Sequence, residues 1–303
     1  MKRKLKVSFI STVLNEEENL EKFLESLLNQ SVKPDEVILV DGGSKDKTLE
    51  IMRLYQKKSK IPFRIIIKKG ANIADGRNIA INSAKYGLIF VSDAGCIINK
   101  DWINETLKFF PENDVVAGSY KAIIKNDFEF FQSLIVIKKI DRPSRMSSRN
   151  ICFKKACWKK AGGYPEKCLT GEDTKFNISL IENKCKIVTN QRKDISWEMR
   201  PTIKKFFKQF YKYGEGDRIQ GNLKKLRLNG LMVISFWIYC LALIVMLIVN
   251  SLIFLILLVS PIISLLIISV RYFFKTKRIS ALYYIPLLEL TKRVSYVLGA
   301  TFG

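Results

Sequence analysis

Apolar and polar positions follow two rhythms along the first two hundred residues. Short, nearly unbroken apolar runs at 7–13, 36–40, 63–67 and 88–92 read as buried strands. Between them apolar residues recur at helical spacing. Over 16–29, Leu20, Phe23, Leu24, Leu27 and Leu28 fall on one face, and 47–58 and 71–85 repeat the pattern. Strands alternating with helices of this length predict βαβ units, hence an α/β domain with a mostly parallel sheet flanked by helices. Further on, 115–119 reads as a strand, 127–139 as a helix, 155–161 as a helix stopped by Gly162-Gly163, 172–183 as a helix and 185–188 as a short strand. The polar segment 140–150, with Pro143, Arg142, Arg145 and Arg149, predicts a mobile loop.

After residue 200 the pattern changes. Residues 202–227 are basic and aromatic, as a helix lying on lipid headgroups would be. Two uninterrupted apolar runs follow, 231–249 and 252–270, separated by Asn250-Ser251. Each is about 28 Å long as a helix, against a hydrocarbon core of about 30 Å. They predict a tight membrane hairpin. Lys224, Lys225 and Arg227 precede it and Arg271, Lys275, Lys277 and Arg278 follow, which puts both ends on the cytoplasmic side of a multi-pass cell-membrane protein. The last segment, 280–302, carries Glu289, Lys292 and Arg293 in an apolar pattern and reads as either a third span or an interfacial helix. The expected organisation is a catalytic domain over 1–200, a basic connector over 201–230 and a membrane region over 231–303.

Composition narrows the chemistry. Lys+Arg 51 against Asp+Glu 28 gives a formal charge of +23, but the basic residues are scattered and form no nucleic-acid module. Anionic headgroups are the better partner, and nucleic acid is not expected. The chain has no histidine, which excludes Ser-His-Asp hydrolysis, Cys-His proteolysis and histidine-ligated zinc. Carboxylates, lysine, tyrosine or cysteine must then do any general-base work. Six cysteines without a CxxC pair read as buried thiols of a reduced compartment. The basic start, Met1 to Lys6, is followed by an apolar run too short for a secretion signal, so it reads as the approach to the first strand.

Three acidic stations stand out: Asp41 and Asp93, each where an apolar run ends, and the pair Glu172-Asp173 in a polar stretch that begins a helix. Strand ends of this kind form the carboxyl edge of an α/β sheet, where ligands bind. Asp41 is followed by Gly42-Gly43-Ser44, which lets backbone approach a ligand closely or simply makes a turn. Two acids in a first helical turn also complement the helix dipole.

Several short motifs then add up. Val7 to Glu17, Val40 to Thr48, Gly76-Arg77-Asn78-Ile79-Ala80, Asp93-Ala94-Gly95, Ala161-Gly162-Gly163-Tyr164 and Gly171-Glu172-Asp173 together resemble the inverting family 2 glycosyltransferases of the GT-A fold. The tail is similar to members anchored in membranes that build polysaccharides or glycolipids. The resemblance implies a nucleotide-diphosphate sugar as donor, a lipid-linked or polysaccharide acceptor, and a divalent metal, Mg or Mn. It implies nucleotide contacts from Glu16, Asp41, Arg77 and Asp93, metal binding by Asp93, and Asp173 as base with Glu172 raising its pKa. It also departs from the family: Gly95 stands where the Asp-x-Asp metal motif has its second acid. Gln209, Lys212 and Tyr213 are similar to the Gln-x-x-Arg-Trp motif of processive synthases, with Lys for Arg and Tyr for Trp, and imply a weaker role toward acceptor or diphosphate. Two rivals share these features: a synthase that transfers sugar to bare polyprenyl phosphate, and a non-catalytic membrane scaffold.

Overall fold

The computed structural model describes residues 5–303 apart from 167, 169, 220, 222–226 and 250. Residues 1–4, Lys224, Lys225 and the Asn250 of the expected hairpin turn lie outside the described residues. The strands are β1 (Val7–Val13), β2 (Glu36–Asp41), β3 (Phe63–Ile67), β4 (Leu88–Val91), β5 (Cys96–Ile98), β6 (Val115–Ile123), β7 (Ile151–Lys154) and β8 (Ile187–Glu198). The helices are α1 (Leu20–Leu28), α2 (Thr48–Lys58), α3 (Ile73–Ser83), α4 (Trp102–Leu107), α5 (Asp127–Val136), α6 (Lys155–Lys160), α7 (Glu172–Glu182), α8 (Ile203–Ile219), α9 (Arg227–Val249), α10 (Ser251–Thr276) and α11 (Ala281–Phe302). Two units result. One is Met1–Ile123 with Ile137–Glu198, the other Ile124–Val136 with Met199–Gly303.

The first unit is one eight-stranded sheet in the order β3-β2-β1-β4-β7-β6-β8-β5. The first four are parallel; β7 runs antiparallel to β4 and β6, β8 is parallel to β6, and β5 antiparallel to β8. The sheet is therefore mixed and mostly parallel. The apolar runs of β2 and β4 are buried along their whole length, as strands covered on both faces must be. One side of the core is aromatic, with Trp102 edge-on to Phe9 and Phe90. The other gathers Ile10, Ile38, Val91, Phe153, Phe176 and Leu180.

Three departures from the sequence pattern shape the site. Helix α1 begins at Leu20 and not at residue 16, because Asn15 adopts a left-handed φ of 52° and Glu16 donates its backbone N–H to the Thr48 hydroxyl at 2.8 Å. Glu16 is thereby left in the loop after β1. Residues 140–150, expected as a mobile loop, are packed: Ile140, Met146, Ser147, Ser148 and Asn150 are buried, and a 3-10 turn spans Pro143–Arg145. Asn150 fixes the segment by accepting from the Trp102 indole at 2.8 Å and donating to the Ser119 carbonyl at 2.8 Å. Third, β8 runs on to Glu198, because after a register shift near Gly118 its second half pairs with Tyr120–Ile123 and its last residues with β5.

The second unit is helical. Phe131, Ile135, Phe206, Ala281, Ile285 and Leu288 form its core. Helices α8 and α11 approach closely at glycines: a Cβ on Gly214 would lie 2.0 Å from the Tyr296 carbonyl, and one on Gly299 2.0 Å from that of Tyr211. Residues 229–249 and Ser251–Thr276 are long and apolar enough to cross a membrane, and almost none of their most apolar stretch is buried in protein. Helix α11 is not among such spans; it buries Ile285, Leu288, Glu289 and Val297 within the unit.

Candidate active site

The parallel strands deliver carboxylates to one edge. Glu16 follows β1, Asp41 ends β2 and Asp93 follows β4, and β1 lies between β2 and β4 in the sheet. Because β7 runs antiparallel to β4, its leading segment with Ser148 and Arg149 reaches the same edge. There is no local signal for that approach. It comes from strand pairing, which is why the sequence did not reveal these two residues.

Arg77 is the pivot. It projects from α3, is 1% exposed, and its guanidinium donates in two directions. One nitrogen reaches Glu172 Oε1 at 2.8 Å and Asp173 Oδ1 at 3.1 Å; the other reaches Asp93 Oδ1 at 2.8 Å. Residues 77, 93, 172 and 173, distant in sequence, therefore meet in one cluster. Burial pushes the Arg77 pKa down, but the charges of Asp173 and Asp93 outweigh it and hold the group well above the ordinary arginine value. The guanidinium also lies over the Tyr164 ring, 5.2 Å from its centre. Asn78 locks that tyrosine in place: its side-chain oxygen accepts from the Tyr164 N–H at 2.9 Å and its nitrogen donates to the Tyr164 carbonyl at 2.8 Å.

Glu172 and Asp173 occupy the first turn of α7, behind Gly171 at φ 74°. Asp173 is the more exposed of the two, its side chain 24% open against 10% for Glu172. The Ser148 hydroxyl and backbone N–H both donate to Asp173, the latter to Oδ2 at 3.1 Å. Burial pushes Glu172 up to about 7, the charge of Asp173 adds to this, and Arg77 opposes it.

Asp93 faces a second guanidinium, with Arg149 Nε 3.6 Å from its Oδ2. Arg149 stacks on Trp197, 4.0 Å from the ring centre, and Tyr120 lies 5.6 Å away. Asp194 pairs with Arg192 instead, at 3.0 Å. Burial and the Asp93 charge push the Cys96 thiol up to about 12, so it stays protonated and packs.

Asp41 is 1% exposed and organises its own turn. It accepts from the backbone N–H groups of Gly43 at 3.0 Å and Ser44 at 3.1 Å, and from the Ser44 hydroxyl. The Ser44 oxygen in turn accepts from the Asn15 N–H at 2.9 Å. These bonds tie the β2 turn to the loop that carries Glu16. Beside them opens a cleft of about 180 Å³, lined by Thr12, Glu16, Gly42, Asn72, Gly76 and neighbours. A depression of about 170 Å³ at the opposite strand ends, near Leu5, Asp35 and Leu107, gathers no such cluster.

The three residues of the weaker motif lie in the second unit. Gln209 is buried, accepts from Arg200 Nε at 3.1 Å and donates to the Tyr213 hydroxyl at 2.9 Å; Lys212 is exposed and pairs with Glu215 at 2.6 Å.

A mixed, mostly parallel α/β sheet with acidic residues gathered at the carboxyl ends of its parallel strands is the GT-A architecture. Residues 8–162 match the model of Glycosyl transferase family 2, and the chain belongs to that family and is a glycosyltransferase. It is 25% identical over 229 residues, 69% of this chain and 71% of the relative, to a Methanococcus voltae dolichyl N-acetyl-alpha-D-glucosaminyl phosphate 3-beta-D-2,3-diacetamido-2,3-dideoxy-beta-D-glucuronosyltransferase. It is 24% identical over 227 residues, 69% of this chain, to the poly-beta-1,6-N-acetyl-D-glucosamine synthase of Staphylococcus epidermidis. The match spans 54% of that synthase, and smaller shares of other curated relatives. In structure the chain is similar to the mannosyltransferase PcManGT of Pyrobaculum calidifontis, solved with GDP-Man and Mn2+. The TM-score is 0.65 at 16% identity, over 96% of this chain and 88% of that one.

Proposed function

We propose that the chain transfers a sugar, with inversion, from a nucleoside-diphosphate donor to a lipid-linked hydroxyl at the cytoplasmic face of a membrane. The observation that carries this reading is the Arg77 cluster, which holds Asp93 and Asp173 on one cation beside the cleft. Inversion needs a carboxylate that takes the proton of the attacking hydroxyl opposite the departing diphosphate. Asp173 fits that part. It is the more open member of the pair, and the Ser148 and Arg77 bonds fix its orientation while one lone pair remains on Oδ2 for a substrate proton. Glu172 and Arg77 act as positioning residues.

At the other end, Asp41 shapes the turn on which the nucleoside rests, Glu16 lines the cleft, and Arg149 faces the diphosphate. The Asp93 carboxylate offers the oxygen donors that a hard divalent ion takes, with Arg77 and Arg149 also upon it. That carboxylate is 27% open, the neighbouring thiol is protonated, and no group of three potential ligands exists among the described residues. A Mg or Mn ion there would need substrate oxygens to complete its shell. Such an ion, when bound, would neutralise the charge that builds on the leaving diphosphate. PcManGT, with its bound GDP-Man and Mn2+, supports this assignment.

The named acceptor of the M. voltae relative, carried on dolichyl phosphate, supports a lipid-borne substrate. Helices α9 and α10 form the membrane hairpin. Lys204, Lys205, Lys208 and Lys212 line one exposed face of α8, toward anionic headgroups. The test is a panel of radiolabelled sugar nucleotides incubated with membranes containing the protein. Label is expected in lipid extract, on a sugar of anomeric configuration opposite to the donor's. Retained configuration, or label on bare polyprenyl phosphate, would contradict the reading.

A further inference from the structure

Gly95 stands where a second acid of the metal motif belongs, and its surroundings are informative. Its φ does not require glycine, and a Cβ added there would have one heavy-atom neighbour within 4 Å, the Glu16 Oε2 at 3.8 Å. A carboxylate from the loop after β1 thus borders the space that an aspartate at residue 95 would fill.

We propose that Glu16 supplies the carboxylate that Gly95 lacks, so that Asp93 and Glu16 hold one divalent cation together with the donor's diphosphate. The proposal rests on the metal-assisted reading above.

Three observations carry it. The first is charge. Asp93 is flanked by Arg77 at 2.8 Å and Arg149 at 3.6 Å, so its carboxylate alone is a poor cation site. The cluster of Asp93, Glu172 and Asp173 against Arg77 and Arg149 has a formal charge of only −1, and Glu16 doubles it. The second is preorganisation. The Glu16 backbone is fixed at both ends, its N–H on Thr48 and its carbonyl accepting from Asn19 at 3.1 Å and Leu20 at 2.9 Å. The third is complementarity at residue 95. A Cβ there would meet no backbone within 4 Å, only the Glu16 carboxylate oxygen. Glycine therefore removes a repulsion that exists because the glutamate is already in place. Carboxylate oxygens are also the donors that Mg and Mn prefer.

The experiment is Mn2+ binding to the full chain in detergent, read by loss of the free-ion electron paramagnetic resonance signal, with UDP and separately with GDP. Glu16→Gln and Asp93→Asn are each expected to weaken Mn2+ binding by about tenfold or more, since even partners that only support a metal ligand change affinity on that scale. Adding Gly95→Asp to Glu16→Gln is expected to restore most of the loss. This recovery separates a lost ligand from a damaged fold. Mn2+ affinity unchanged in Glu16→Gln, or no recovery in the double variant, would overturn the proposal while leaving the glycosyltransferase reading intact. Wild-type protein that binds Mn2+ with neither nucleotide would overturn the metal-assisted reading itself.

Discussion

At the scale of single residues, Arg77 decides how the site is built. A buried cation is tolerated when carboxylates surround it, and here three do. Arg77→Met should cost about 3–5 kcal/mol of stability in denaturant titration, because it strands Glu172 and Asp93 without their partner. Arg77→Lys should recover part of this, since one ammonium cannot span both directions of the fork. Glu172 gives a pH signature. Its pKa of about 7 lies above the ordinary value of 4.5, so the fold binds an extra proton between those limits. Stability should therefore fall as pH rises from 4.5 toward 7, by at most about 3 kcal/mol, and level off above. Melting temperature against pH would show the slope, and Glu172→Gln should flatten it. The sequence offered Asp93 and the pair Glu172-Asp173 as acids of one site, and Arg77 as a nucleotide contact. It did not offer their convergence on one guanidinium, because that depends on where α3 and α7 pack.

Among the elements, α3 sets the geometry, and Gly76 sets α3. A Cβ at Gly76 would lie 2.6 Å from the Thr12 methyl on β1. Alanine would gain about 1 kcal/mol of helix propensity, yet the clash should push the helix off the strand and cost about 1–3 kcal/mol. Gly76→Ala is thus expected to destabilise and to reduce turnover, with Thr12→Ser, which lacks that methyl, restoring part of both. Restoration would be absent if the glycine mattered only for backbone freedom. The long apolar runs of β1, β2 and β4 were evident in the sequence because strands buried on both faces leave an unbroken pattern. The short β5 and β7 were not, since three or four residues carry no period and only their neighbours make them strands. The Ile140–Asn150 stretch misled for a related reason: its polar groups are satisfied by partners distant in sequence, including Trp102 and Asp173.

For the whole molecule, the exposed apolar helices are the unusual feature. Leu241 is 61% exposed in α9. On a helix in water, arginine there would cost little. At mid-bilayer it should disfavour insertion by about 2.5–3.5 kcal/mol. Leu241→Arg is accordingly expected to raise the fraction of protein extracted from membranes by alkaline carbonate, and unchanged extraction would place that face outside lipid. Apolar runs of this length are plain in any sequence. The acceptor is not, because no single motif encodes the surfaces that would recognise it.

The most direct measurement is sugar transfer to lipid by Asp173→Asn, with binding of the donor nucleotide followed in the same preparation. Loss of a positioned general base should lower turnover by about 10²- to 10⁴-fold while nucleotide binding persists. Transfer at the wild-type rate would mean that the carboxylate gathered beside Arg77 is not the base.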